Sequence, residues 1–303
     1  MPGTAAPRGE RRAPRRRRGG MALTLLLAGG GLLAGTFGAL LGLGGGILIV
    51  PLLTLGFGLP FREAVAISLV AVITTSSASA AVYLERRLAN LRLGLTLELF
   101  TATGALIGGL VAFLLSDRLL AGLFAAMLGY TAWSMVRRAG ARQPAAAAAV
   151  PGTGTAHGGA IHGYLASLGG ADYAVRRLPA GIGLAFVAGV LSALLGVGGG
   201  VVKVPAMNLV MGVPLRVATA TSNLMIGVTA SASAILYLLR GQVDPYIAGP
   251  VVVGVFAGAV VTSRIAHRVS AGVVRTLFVV VLCYTAVEMG ARALALPVGG
   301  LGA

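Results

Sequence analysis

The chain has 303 residues, 57% of them hydrophobic and 11% charged, with a mean hydropathy of +0.92. A soluble domain carries roughly 25% charged residues, so this composition excludes a protein that covers its own surface in water. The net charge of +16 does not indicate nucleic acid as a partner. The arginines gather in a tail and at the ends of uncharged runs, as the positive-inside rule and attraction to anionic lipid require.

In chain order, residues 1–20 form a basic tail with seven arginines against one glutamate. It is followed by Met21, itself a candidate start, and by an apolar run. That run is too long for a cleaved leader and carries the first glycine motif, so it reads as an uncleaved span. Spans are predicted at 21–41, 62–84, 93–115 and 118–137, and again at 179–195, 216–239, 245–267 and 272–292. Each matches the ~30 Å of hydrocarbon that a helix crosses at ~1.5 Å per residue. The units are therefore a first transmembrane repeat at 21–138, an Ala/Gly-rich linker at 139–177, a second repeat at 178–293 and a tail at 294–303. The fold class is an all-α polytopic membrane protein of two tandem four-helix repeats, about eight transmembrane helices, each repeat with a Gly-rich broken or re-entrant segment.

The repeat is read from register. Gly42-Leu43-Gly44-Gly45-Gly46-Ile47-Leu48-Ile49-Val50-Pro51 returns as Gly196-Val197-Gly198-Gly199-Gly200-Val201-Val202-Lys203-Val204-Pro205, an offset of 196 − 42 = 154. Pro60, Arg62, Ser68, Tyr83 and Gly104 fall on Pro214, Arg216, Ser222, Tyr237 and Gly258 without a gap, which marks two copies of one folding unit. The pieces 47–59 and 201–213, held between glycines and a proline, are too short to span as helix and fit a re-entrant half-helix or an unwound bend.

Charge counting makes the tail, the 85–92 loop and the linker all cytoplasmic. That needs an even number of crossings between them, relates the halves by an axis along the membrane normal and puts both termini in the cytoplasm. If the short pieces cross, each half has five passes, the repeats become inverted and one basic segment lies outside.

The glycine motifs fail the dinucleotide fingerprint, since Ile47 and Val201 stand where glycine is required, and no Walker motif is present. Their physical reading is a helix break that frees backbone N–H groups at the start of a half-helix, a ready anion site; tight helix crossing is the plainer alternative. Lys203, the only lysine, stands in an apolar half-helix where the first copy has Ile49. It is a candidate anion ligand, with snorkelling to the interface as the alternative. Ser68, Thr75 and Ser79 share a helix face, and Ser222, Thr229 and Ser233 repeat them; the hydroxyls either line a path or bond back to their own helix. Asn208 and Asn223 add polarity to the second half alone. Glu98, which interrupts an apolar run, is the candidate coupling group, ahead of Glu288 and Glu63. His157 and His162 in the linker do not make a metal site, the lone Cys283 rules out an internal disulfide, and no cofactor or intramembrane catalytic constellation is expected.

The paired signatures LLGLGGGILIVPLL and LLGVGGGVVKVPAM, each followed by a Pro- and Arg-containing loop, resemble those of the TauE/SafE sulfite exporter family, also called the toluene sulfonate uptake permease family. The resemblance covers about residues 21–137 and 179–292. It implies a multi-pass secondary carrier of the bacterial inner membrane for sulfite, sulfonates or related small anions, with the glycine-proline signature on Gly44, Gly45, Gly46 and Pro51 and on Gly198, Gly199, Gly200 and Pro205. It names no coupling residue. The expectation is a transporter that binds a small sulfur-containing anion between the repeats through these residues with Ser68, Thr75, Lys203, Ser222, Asn223 and Thr229. An anion channel and a non-transporting scaffold are the alternatives.

Overall fold

The computed structural model describes residues 20–41, 45–85, 89–140, 173–265 and 271–294. Its first half holds α1 (Gly20–Leu41), the short α2 (Gly46–Pro51) running on into a π-helical turn (Leu52–Gly56), α3 (Phe61–Glu85), α4 (Leu91–Ala112) and α5 (Asp117–Gly140). The second holds α6 (Leu178–Leu195), α7 (Gly200–Pro205) with its π-helical turn (Ala206–Val210), α8 (Leu215–Leu239), α9 (Pro245–Ile265) and α10 (Ala271–Ala293). Among the described residues, eight helices are long and apolar enough to cross a membrane, and the two short segments are not. Helix throughout is what hydrocarbon demands, because it satisfies every backbone donor within the segment.

The glycines end the helices where the motifs stand. Gly45, Gly196, Gly198 and Gly199 take φ of 76°, 71°, 78° and 75°, a region that costs a side-chain-bearing residue roughly 1–2 kcal/mol. Pro51 and Pro205 close α2 and α7. With no N–H to give, each proline releases a carbonyl one turn back, and the chain widens into a π-helical turn. In the first half, Thr54 Oγ1 donates to the carbonyl of Val50 at 2.8 Å within that turn.

Helices of one half pack mainly on those of the other: α1 lies along α9, α6 along α4, α3 along α8 and α5 along α10. Glycine lets the backbones touch at two of these crossings. Gly35 faces the carbonyl of Val255 and Gly258 that of Leu32. Gly189 faces the carbonyl of Thr101 and Gly104 that of Phe186. The second set is the first moved by 154 residues with the halves exchanged.

These contacts fix helix directions. Gly104 and Gly108 meet Phe186 and Val190 in rising order, so α4 and α6 run parallel; Gly94 near Thr221 and Gly109 near Leu236 make α8 parallel to both. Gly31 and Gly35 meet Val251 and Val255, so α1 runs parallel to α9, which begins where α8 ends. The start of α1 therefore lies on the face opposite the start of α6. The short segments account for the parity. The backbone N–H of Arg176 donates to the carbonyl of Met211 at 3.0 Å, so the chain after α7 comes back to the face where α6 began. Arg62 of α3 pairs with Asp117 at the start of α5 at 3.3 Å, placing the start of α3 on the face of α1's start.

This corrects the topology expected from charge. The linker ends share a face with the α3–α4 connection, whereas the start of α1 and the end of α10 lie on the opposite one, with Gly122 of α5 against Ala293. The halves are inverted, not related by an axis along the normal, because each short segment undoes one crossing. Even-parity counting fails for that reason, and the end of α9 falls on the linker's face. The tail at 1–19 and the linker histidines lie outside the described residues.

Candidate functional site

The two breaks meet. A methyl group added at Gly46 would stand 2.5 Å from the carbonyl oxygen of Gly196, 2.8 Å from Val72 and 3.1 Å from Ser68 Oγ. Ser68 Oγ donates to the carbonyl of Gly196 at 2.7 Å and lies 3.3 Å from that of Gly46, so one hydroxyl of α3 ties both breaks. At the equivalent places of the second half, Gly200 lies against Ile226 and Ser222. The Ser222 hydroxyl is buried and, among the described residues, has no hydrogen-bond partner. Ser192, on the last turn of α6, is in the same condition, and its Cβ lies 3.4 Å from the position of a methyl at Gly199.

Beside the second break sits a buried charged trio. Lys203 Nζ donates to Thr229 Oγ1 at 2.6 Å and pairs with Glu98 Oε2 at 3.4 Å, while Thr229 Oγ1 lies 2.7 Å from Glu98 Oε1 and 3.0 Å from the carbonyl of Met225. Side-chain exposure is 1% for Lys203 and 8% for Glu98, which removes snorkelling from the lysine. Glu98 comes from α4 of the first half and the other two from α7 and α8 of the second, so the ion pair crosses between the halves. The Lys203 stem passes over Gly199, whose added methyl would stand 3.4 Å from Cε. At the offset of 154, the corresponding residues of the other half are Ile49, Val252 and Thr75. Ile49 is in the apolar core and Val252 packs against it, so the charged arrangement exists once, not twice.

Other predicted site residues fall as follows. Gly44 lies outside the described residues. Pro51 and Pro205 shape the breaks and, having no N–H, offer a ligand no donor. Thr75 bonds back to Ala71 and Val72, Ser79 to Thr75 and Ser233 to Thr229, the plainer reading of a helical hydroxyl. The carbonyl of Asn223 accepts from Ser76 of α3, and Asn208 Nδ2 donates to the carbonyl of Val213 at 2.9 Å, a turn-closing role away from the centre. Sequence reasoning missed Ser192; a lone hydroxyl four residues before Gly196 in an otherwise apolar span was the available signal.

Two cavities, of about 520 and 240 Å³, lie elsewhere. The larger is an apolar groove between α1, α2 and α10, and Glu288 and Arg292 line one end of it. Neither touches the trio. Among the described residues, no cluster of His, Cys, Asp or Glu is suited to a metal.

Among known proteins, the family described as Sulfite exporter TauE/SafE matches residues 27–289, from α1 into α10. A relative, the probable membrane transporter protein YunE of Bacillus subtilis (strain 168), is 28% identical over 264 residues, covering 84% of this chain and 93% of that protein. No solved structure matches.

Proposed function

The chain belongs to the Sulfite exporter TauE/SafE family of membrane transporters, and from that premise we propose that it is a secondary carrier of a small sulfur-containing anion, sulfite or an organosulfonate. The anion binds between the inverted halves at the second break. The observation that carries this reading is the pair of buried hydroxyls of Ser192 and Ser222 at the second break, unpartnered among the described residues. A buried hydroxyl without a partner is costly, and sulfite or sulfonate oxygens are suitable acceptors. Gly45, Gly46 and Ser68 form the facing wall, Gly198, Gly199 and Gly200 the near one, and Lys203 with Thr229 the charged side. Rocking one half against the other exposes such a site to each face in turn.

Counterflow in proteoliposomes tests this. Labelled sulfite or sulfonate exchanges saturably against unlabelled anion, and Ser192→Ala with Ser222→Ala raises the half-saturating concentration about tenfold, the value of two modest hydrogen bonds. Conductance without counterflow identifies a channel, and no flux across a panel of oxyanions leaves a scaffold.

The linker's face is cytoplasmic in this reading. Its described margins carry Arg92, Arg137, Arg176 and Arg177, and the membrane is that of a bacterial cell. The start of α1 and the end of α10 then face outward. In a Cys283→Ala background, an impermeant maleimide applied to intact spheroplasts labels Leu294→Cys and spares Arg176→Cys; the reverse pattern overturns the orientation.

A further inference from the structure

The ion pair raises a difficulty for the proposed site. While Glu98 is ionised it neutralises Lys203, and an incoming anion meets no net charge at the second break. We infer that Glu98 is the proton-binding group of the carrier, that its protonation frees Lys203 to hold the anion, and that one proton travels with each monovalent anion. This rests on the transport reading above and adds the coupling ion and its stoichiometry.

The arrangement supplies the parts. A proton from water converts the Glu98 carboxylate to the neutral acid, and the attraction across 3.4 Å to Lys203 Nζ ends. An ammonium left alone in a low-dielectric interior requires a counter-ion, and the bound anion takes the carboxylate's place. When the anion leaves, Glu98 returns its proton to water and the pair re-forms, so charge balances at both ends of the cycle. Thr229 accommodates both states. Its hydroxyl has one proton and two acceptors in reach, Glu98 Oε1 at 2.7 Å and the carbonyl of Met225 at 3.0 Å. It turns to the carbonyl once the acid no longer accepts.

No other ionisable group competes at that depth. Among the described residues packed against α4, α6 carries none between Leu178 and Leu195, α7 carries Lys203 alone, and α8 carries Arg216 at one end and Tyr237 at the other. Arg92, on α4 itself, stands six residues before Glu98, at the basic face. The stoichiometry follows from the asymmetry of the halves. Ile49 and Val252 occupy the other copy of the site, so each cycle has a single titrating carboxylate.

Because the pair spans the halves, it also acts as a latch. Glu98 moves with the first half and Lys203 with the second, so the ionised pair resists separation in the absence of cargo. Protonation without anion, or anion without protonation, leaves an uncompensated charge and stalls the rocking. Only the doubly loaded and the empty, ion-paired forms pass.

The test uses the full-length protein in proteoliposomes, with labelled sulfite and labelled 4-toluenesulfonate each assayed first for counterflow. The sulfonate's charge is fixed over the working pH range, so any proton it brings belongs to the protein. With an acid exterior, wild type concentrates the sulfonate about tenfold per pH unit, as one-to-one electroneutral symport requires. Clamping the membrane potential changes nothing, and an interior pH dye records one proton per anion. Glu98→Gln, a permanent mimic of the acid, keeps counterflow but loses concentration and dye response. Glu98→Val with Lys203→Ile, which copies the residues of the other half, folds and shows no counterflow.

A wild-type proton-to-anion ratio of zero with counterflow intact overturns the inference while sparing the transport reading, whatever the variants do. Undiminished concentration by Glu98→Gln overturns it equally. Absence of counterflow in wild type for both anions removes the transport reading and this one together.

Discussion

Lys203→Ala and Glu98→Ala each lower stability by about 3–5 kcal/mol, the loss typical of leaving one buried charge without its partner. The double variant Lys203→Ile with Glu98→Val recovers most of it. A single truncation leaves its partner at a depth where 1% or 8% of the side chain sees solvent, and Thr229 alone cannot compensate an ion. Replacing both charges with the apolar pair found at Ile49 and Val252 removes the desolvation cost altogether, and such replacements are commonly neutral or stabilising. Reversible unfolding in detergent micelles measures all three. If either single variant is as stable as wild type, the pair is open to solvent in the native protein. If the double is as unstable as the singles, the two cores are not equivalent environments. The double also separates stability from use, since a sound fold that carries no anion shows the charges retained for transport.

The spans were legible because they leave local marks. Uncharged runs of membrane-crossing length end at arginines, and three glycines before a proline cannot continue a helix. Lys203, Glu98 and Thr229 were each visible singly, as an ionisable residue in an apolar run or a repeated hydroxyl. Their meeting was not, because it joins α4 of one half to α7 and α8 of the other, and no spacing along the chain encodes it. Ile49 opposite Lys203 was read as a departure from the repeat, but Val252 opposite Glu98 was not; only the crossing of α4 with α8 makes the two one departure. The topology was misread because charge counting gave the tail the same weight as the loops. The turn after α7 returns through a backbone hydrogen bond from Arg176 to Met211 and carries no charge signal.

Gly189→Ala and Gly35→Ala each cost about 3 kcal/mol, near the upper end for overpacking, whereas Gly29→Ala is silent or slightly stabilising. A methyl at Gly35 would stand 2.7 Å from the Cα of Val255, and one at Gly189 2.9 Å from the backbone nitrogen of Ala105. Backbone cannot rotate aside as a side chain does, so the helix pair must part. Gly29 has nothing within 4 Å of the added atom, and there alanine gains on helix propensity. The stability losses at Gly35 and Gly189 should agree, since the two crossings repeat the same contacts with the halves exchanged. Their effects on transport should not. The carbonyl facing Gly189 belongs to Thr101, three residues after Glu98, so parting α4 from α6 shifts that carboxylate against Lys203 as well. The α1–α9 crossing carries Val252 in place of the acid and moves no charge. Counterflow, assayed on protein matched for folded fraction, therefore falls at least about tenfold further for Gly189→Ala than for Gly35→Ala, as a displacement of order 1 Å at a reacting group commonly costs. Equal losses of flux would mean that the two crossings serve transport alike and that the charged trio holds no special place in it.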